Sequence, residues 1–395
     1  MALAAAVIAG GAGIGVVFVA GPNRVTGAPR PAPSAPAVAA PRLVLRLPAT
    51  ITVSGRRPHL AWPLSGQAAV TVPGIGSMGT SGPVRTPQPI ASLAKVMTGY
   101  VILADHPLAA GQPGPTLTVT AAEAGAYQAE LAANESLIPV RAGERLTERQ
   151  ALEALLLPSA DNIAQILARW DAGSRPAFVR KMNAAATRLG MRHTRYTDPS
   201  GYAPSTVSTA LDQVKLAEAA MRDTPFAAIV AESAATIPVA GLVHNRNTLL
   251  GTDGVVGIKT GSATYSGGCL LFAAVRRIAS RKVTLYGTVL GQPGDLTTLL
   301  PNVMTTSQRL IATAENALTR DTVVTTGQTV VEMIQPGRPA RRLTSPRDLT
   351  VIGWPGLSFH LAVTAKAGRI TLTLTSSGTR EGKPIAVALT PRPPG

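Results

Sequence analysis

Ser92-Leu93-Ala94-Lys95-Val96-Met97-Thr98-Gly99-Tyr100-Val101-Ile102-Leu103 sets a hydroxyl and an amine three residues apart at the head of an apolar run. The run holds no proline and reads as a buried helix. Spacing of i and i+3 puts Ser92 and Lys95 on one face of its first turn. There the exposed backbone N–H groups and the positive end of the helix dipole favour an oxyanion, and a neutral lysine accepts the proton of a serine nucleophile. A capped helix with a surface lysine explains the same four residues, so the motif needs partners elsewhere in the chain.

Two further segments qualify. Lys259-Thr260-Gly261 stands just before an expected antiparallel hairpin, Cys269–Val275 and Val283–Leu290 joined by the polar turn Arg276–Lys282. A lysine and a hydroxyl at a strand edge suit a carboxylate, and Gly261 lets a substrate backbone come close. Between the two boxes, Ser159-Ala160-Asp161 follows Pro158 and offers a second hydroxyl to a cleft. The order S-x-x-K, S-x-[N or D], K-T-G is far more specific than any box alone.

Around these boxes the alternation over Leu43–Val53 and Ala68–Val72 predicts strands. Thr147 with Gln150 forms a capping box before Leu152, Leu155 and Leu156, and Pro158 stops that helix. Further helices are expected over Asn162–Trp170, Ala177–Leu189, Thr209–Met221 and Asn302–Leu318. After Thr322 the period changes to two, clearest where Ile370, Leu372 and Leu374 alternate with Thr371, Thr373 and Thr375. The expected fold is α/β, an antiparallel sheet flanked by helices with a helical insertion, followed by a small all-β region. The divisions are 1–21 a membrane or signal segment, 22–41 a linker, 42–320 the catalytic unit and 321–395 the β-rich unit.

Ala2–Ala20 carries no charged side chain, and as a helix it spans about 28 Å, close to a bilayer core. It is either an uncleaved anchor or a signal peptide; Arg24 and Arg30 follow it rather than precede it. Pro22–Pro41 contains six prolines among small residues and is a stiffened spacer. A domain held off the outer face of a membrane is what this arrangement suits.

The chain has 395 residues, 37 Lys plus Arg against 21 Asp plus Glu, a net charge of +16, and no acid before Asp105. With 45% apolar residues and 15% charged it folds over most of its length. Thirty of the cations are arginines, with few aromatics among them; that argues against nucleic acid and for an anionic surface. The single cysteine, Cys269, excludes an internal disulfide and a cysteine zinc site and is expected in the core. Gly74, Gly76 and Gly79 form G-x-G-x-x-G without a following helix, and read as a turn. The chain contains no G-x-S-x-G, H-E-x-x-H or G-x-x-x-x-G-K-[ST].

Together the boxes resemble the serine D-alanyl-D-alanine carboxypeptidases among the low-molecular-weight penicillin-binding proteins, peptidase family S11. Ile90–Thr98, Leu157-Pro158-Ser159, Met182-Asn183, Leu189-Gly190-Met191, Asp198-Pro199-Ser200-Gly201, Ser208-Thr209-Ala210 and Gly257–Ser262 carry the resemblance, which covers roughly residues 66–318. It implies a β-lactamase and penicillin-binding transpeptidase-like fold and a definite chemistry. Ser92 attacks the terminal D-Ala-D-Ala bond of a peptidoglycan stem pentapeptide, Lys95 takes its proton, and Ser159 relays it to the leaving amine. Lys259 and Thr260 bind the terminal carboxylate, and the backbone N–H groups of Ser92 and Ser262 form the oxyanion hole. Water releases the acyl-enzyme, no metal or cofactor takes part, and β-lactam antibiotics are covalent inhibitors.

One position departs from the family pattern. Asp161 stands where the middle box ordinarily has Asn, with Asn162 next to it. Either the carboxylate pairs with Lys95 or Lys259 and favours the protonated lysine, or it points away and Asn162 fills the role. A class A β-lactamase needs a Glu-x-x-Leu-Asn segment that this chain lacks. A transpeptidase, and a wall-binding protein that has lost turnover, remain as alternatives.

Overall fold

The computed structural model describes residues 41–366, 368–378 and 383–391. The expected N-terminal membrane segment and linker lie outside the described residues. Among these residues no helix is long and apolar enough to cross a membrane.

In chain order, β1 (Arg42–Leu45) and β2 (Thr50–Thr52) precede the hairpin β3 (Gln67–Val72) and β4 (Gly76–Ser81). The Gly74–Gly79 motif is that hairpin's turn and second strand, as expected. A 3-10 turn at Ala91–Leu93 leads into α1 (Ala94–Asp105). The helical block continues with α2 (Ala121–Ala132), α3 (Glu148–Leu156), α4 (Asp161–Ala172), α5 (Arg175–Arg188), α6 (Ala210–Ala220) and α7 (Thr224–Val230). Then come β5 (Val255–Ala263), β6 (Gly267–Ile278), β7 (Arg281–Gln292) and α8 (Leu299–Ala317). The chain closes with β8 (Thr319–Val324), β9 (Thr329–Gln335), β10 (Arg338–Thr344), β11 (Leu349–Gly353), β12 (Ser358–Lys366), β13 (Arg369–Ser376), β14 (Ile385–Ala388) and β15 (Thr390–Pro391).

The central sheet is antiparallel in the order β5-β6-β7-β3-β4. Period two divides its side chains between two cores. Cys269, Leu271 and Ala273 of β6 face the helical block with Ala69 of β3, and Leu270, Phe272 and Ala274 face the other way with Val70 and the α8 residues Leu310 and Ile311. This second core runs on into Val330, Leu343, Phe359 and Leu372 of the C-terminal β region.

Helix signals act as expected at α3, where Thr147 Oγ1 accepts from Gln150 N and Gln150 Oε1 accepts from Thr147 N. The same device, Thr120 with Glu123, starts α2, which the sequence reading passed over although the T-x-x-E signal is present. Other expectations shift. The hairpin turn is only Ala279 and Ser280, because β6 runs to Ile278 and β7 starts at Arg281; pairing across Arg276–Val283 and Arg277–Lys282 keeps charged residues in a ladder whose side chains reach solvent. Lys259-Thr260-Gly261 precedes the hairpin as expected and is itself part of a strand, β5.

The largest correction concerns the catalytic unit's expected start at residue 42. The strand expected over Leu43–Val53 is two strands, and neither joins the central sheet: β1 pairs with β9 and β2 with β12. They complete the four-stranded sheets β1-β9-β10-β15 and β2-β12-β13-β14 of the C-terminal region. Alternation marks a strand but does not state which open edge takes it.

Candidate active site

The 3-10 turn carrying Ser92 packs on the edge strand β5. A Cβ placed on Gly261 would lie 2.9 Å from Leu93 Cδ1, 3.0 Å from Ile90 O and 3.2 Å from Ser92 N. The glycine of the third box is therefore required by the backbone around Ser92, a nearer cause than the expected approach of substrate. On the other side of the turn, a Cβ on Gly201 would sit 1.8 Å from Ala91 O, and Gly201 has φ +84°, where glycine is unstrained. The first box is thus clamped between the Asp198–Gly201 loop and β5.

Within this clamp Lys95 is fully buried. Its Nζ lies 2.8 Å from Ser92 Oγ, 2.6 Å from Asp161 Oδ1 and 3.0 Å from the carbonyl of Ser200. Three partners suit either state of the amine. An ammonium donates to all three, and a neutral amine donates to Asp161 and Ser200 while accepting the Ser92 hydroxyl proton. The Ser200 carbonyl is held in turn: Asp198 accepts from Ser200 Oγ at 3.0 Å, Ala203 N at 3.1 Å and Thr206 Oγ1 at 2.5 Å, and Thr98 Oγ1 donates to Pro199 O at 2.6 Å.

Asp161 opens α4. Beyond Lys95 it accepts from Ser136 N at 2.8 Å. Of the two fates open to this residue, pairing with Lys95 is the one observed. Asn162 is occupied elsewhere, donating to Ile138 O at 2.8 Å. Ser159 is buried with φ +73° and no hydrogen-bond partner for its Oγ. A non-glycine residue held in that conformation costs of order 1 kcal/mol or more, and such strain gathers at functional positions.

Lys259 is 1% exposed, and among the described residues its Nζ donates only to the carbonyl of Thr260, at 3.1 Å. Burial pushes its amine well below the ordinary lysine value, the Lys95 and Arg246 cations push the same way, and Asp161 opposes them. The Lys259 amine is buried with no carboxylate within ion-pair distance among the described residues. Thr260 is buried beside it, and Ser262 follows on β5, half-buried and paired with Gly268.

Residues outside the three boxes also shape the site. Arg246, exposed, adds a cation near Lys259. Glu135 is half-buried after α2; burial and the Asp161 and Glu130 carboxylates push it up to about 7, with Lys95 opposing. Neither has a local sequence signal, because each reaches the site from a loop. Cys269 is buried in the core with its thiol pushed up to about 11, consistent with an inert packing role.

Against this geometry, the model of the D-alanyl-D-alanine carboxypeptidase family matches residues 76–293. The chain belongs to that family, the serine-type hydrolases of peptidase family S11. It is 33% identical over 217 residues to the D-alanyl-D-alanine carboxypeptidase of Streptomyces sp. strain K15, covering 50% of this chain and 71% of the relative. It is 37% identical over 155 residues to the D-alanyl-D-alanine carboxypeptidase DacB2 of Mycobacterium tuberculosis, where it spans 38% of this chain and only 53% of the relative. The crystal structure of the Streptomyces K15 DD-transpeptidase superposes with a TM-score of 0.55 at 27% identity, over 66% of this chain and 98% of that one. Penicillin binding protein 5 from Haemophilus influenzae superposes with a TM-score of 0.59 over 86% of this chain and 98% of its own; at 20% identity it supports the fold alone.

Proposed function

We propose that this chain is a serine D-Ala-D-Ala carboxypeptidase that removes the terminal D-Ala from peptidoglycan stem pentapeptides through an acyl-enzyme on Ser92. The observation that carries the reading is Ser92 Oγ at 2.8 Å from a buried lysine amine. Lys95 takes the hydroxyl proton as Ser92 attacks the scissile carbonyl, and the N–H groups of Ser92 and Ser262 receive the developing oxyanion. Ser159 Oγ, buried without a partner, carries the proton on to the leaving amine. Lys259 and Thr260 take the terminal carboxylate, which supplies the anion that the buried cation lacks. Water then hydrolyses the ester.

The substrate class puts the working site on the outer side of the plasma membrane, with Ala2–Ala20 as anchor or signal and Pro22–Pro41 as spacer. A DD-transpeptidase is the second reading, since one superposing structure bears that name; it differs only in whether an amine or water reaches the ester. The Asp161–Lys95 ion pair favours a third, slow turnover.

Labelled benzylpenicillin tests the chemistry: a covalent adduct is expected on the wild-type chain and none on Ser92→Ala. A folded wild-type chain without adduct would sink the enzyme reading. Incubation with a D-Ala-D-Ala-ended peptide, with and without an amine acceptor, then separates free D-Ala with hydrolysed acyl product from aminolysis.

A further inference from the structure

The C-terminal region contains a cleft that the peptidase reaction does not use. It has a volume of about 470 Å³ and opens between β9–β10 on one side and β13, β14 and β15 on the other. Met333 and Leu343 line one wall, and Ile370 and Leu389 the other; Leu343 and Leu389 are buried. Arg341 and Arg369 stand in the same lining and are exposed. Arg341 lies opposite Met333 across the β9–β10 ladder, and Arg369 lies opposite Lys366 across the β12–β13 ladder.

Neither arginine has a carboxylate partner among the described residues, and the described acids of this region are engaged elsewhere. Asp321 accepts from Ser54 N and Oγ, Glu332 pairs with Arg46 and Arg342, and Asp348 accepts from Thr326 N and Oγ1. Two guanidinium groups without a described carboxylate partner, set beside the half-buried Met333 and Ile370, suit a ligand with a compact anion joined to hydrocarbon. Guanidinium forks match phosphate oxygens, and the two half-buried side chains give the hydrocarbon a contact.

We propose that this cleft binds an anionic phospholipid of the membrane surface, with Arg341 and Arg369 on the phosphate and the apolar walls on the glycerol and first acyl carbons. Continuity of the chain supports that occupant. The stretch expected to meet the membrane runs through the Pro22–Pro41 spacer straight into β1, an edge strand of the sheet that bears Arg341. The inference rests on the membrane-side placement given under the proposed function, and it turns the C-terminal region into a second membrane contact.

Flotation of the full chain with vesicles tests it, comparing pure phosphatidylcholine with a mixture containing about one third phosphatidylglycerol. The N-terminal apolar segment partitions into both, so the ratio isolates the charge-dependent contact. Two arginines at an anionic surface correspond to about a 30-fold preference. Arg341→Gln with Arg369→Gln is expected to remove most of it, while Arg188→Gln with Arg192→Gln, which removes equal charge from exposed positions near the end of α5, leaves it intact. The proposal is overturned if the wild-type chain shows no preference, if the α5 variant loses it equally, or if millimolar glycerol phosphate abolishes the preference for the anionic vesicles, which would mark a soluble phosphate ester as the ligand. Penicillin labelling of every variant monitors folding, and its failure in the wild type would count against the peptidase reading rather than the lipid site.

Discussion

Replacing Asp161 by Asn tests the electrostatics of the proposed base directly. The Asp161 carboxylate is 2.6 Å from Lys95 Nζ, and both groups are buried. That ion pair holds the amine as a donor to Asp161 as well as to Ser92. Asparagine is close to isosteric but offers one acceptor, Oδ1, in place of the two carboxylate oxygens that accept from Lys95 and Ser136 N. Ser92 hands its proton to the lone pair of this amine, and the Asp161 carboxylate competes by taking the amine as a donor. Acylation near pH 7 is therefore expected to rise about tenfold in the variant, about 1.4 kcal/mol off the barrier. The assay is the second-order rate constant for benzylpenicillin labelling from pH 5 to 10, with wild-type melting behaviour as the check on folding. An unchanged labelling rate in a folded Asp161→Asn chain would refute the coupling between this carboxylate and the proposed base.

Three further outcomes follow from the same geometry. Gly261→Ala drives a methyl to within 3.2 Å of Ser92 N; acylation should fall about 10- to 100-fold with a loss of about 1–3 kcal/mol in stability, and an unchanged labelling rate would contradict the clamp. Lys259→Met removes a buried cation whose charged form burial and neighbouring cations disfavour. Because the unfolded chain holds that proton more tightly, wild-type stability rises with pH up to about 10.4; the variant should flatten this rise in thermal melts while binding D-Ala-ended peptide more weakly, and unaltered peptide binding would remove Lys259 from the carboxylate site. Glu148 is fully buried with both oxygens unpartnered, and burial, with Asp223 adding to it, pushes it up to about 7. Its folded form holds the proton more tightly than the unfolded chain, so stability present below about pH 4.5 is lost towards pH 7, on the order of 3 kcal/mol. Glu148→Gln should recover much of that loss at pH 8 and little at pH 4.5 in chemical denaturation; equal effects at both would contradict it.

The local geometry of the boxes was legible in the sequence because it depends on near neighbours. Ser92 and Lys95 share a helical turn, Lys259 to Gly261 share a strand, and the capping box at Thr147 fixes a helix start through residues three apart. Only the tertiary structure decided what depends on distant partners. It brings Asp161 onto Lys95 through the close of α3 and the start of α4, sets the Ser200 carbonyl as the third ligand of that amine through the Asp198 turn, and makes Gly261 a seat for the nucleophile's backbone. It also assigns β1 and β2 to the C-terminal sheets, since a strand's pattern declares which face is apolar but leaves its choice of neighbour to whichever edges are open when the chain packs.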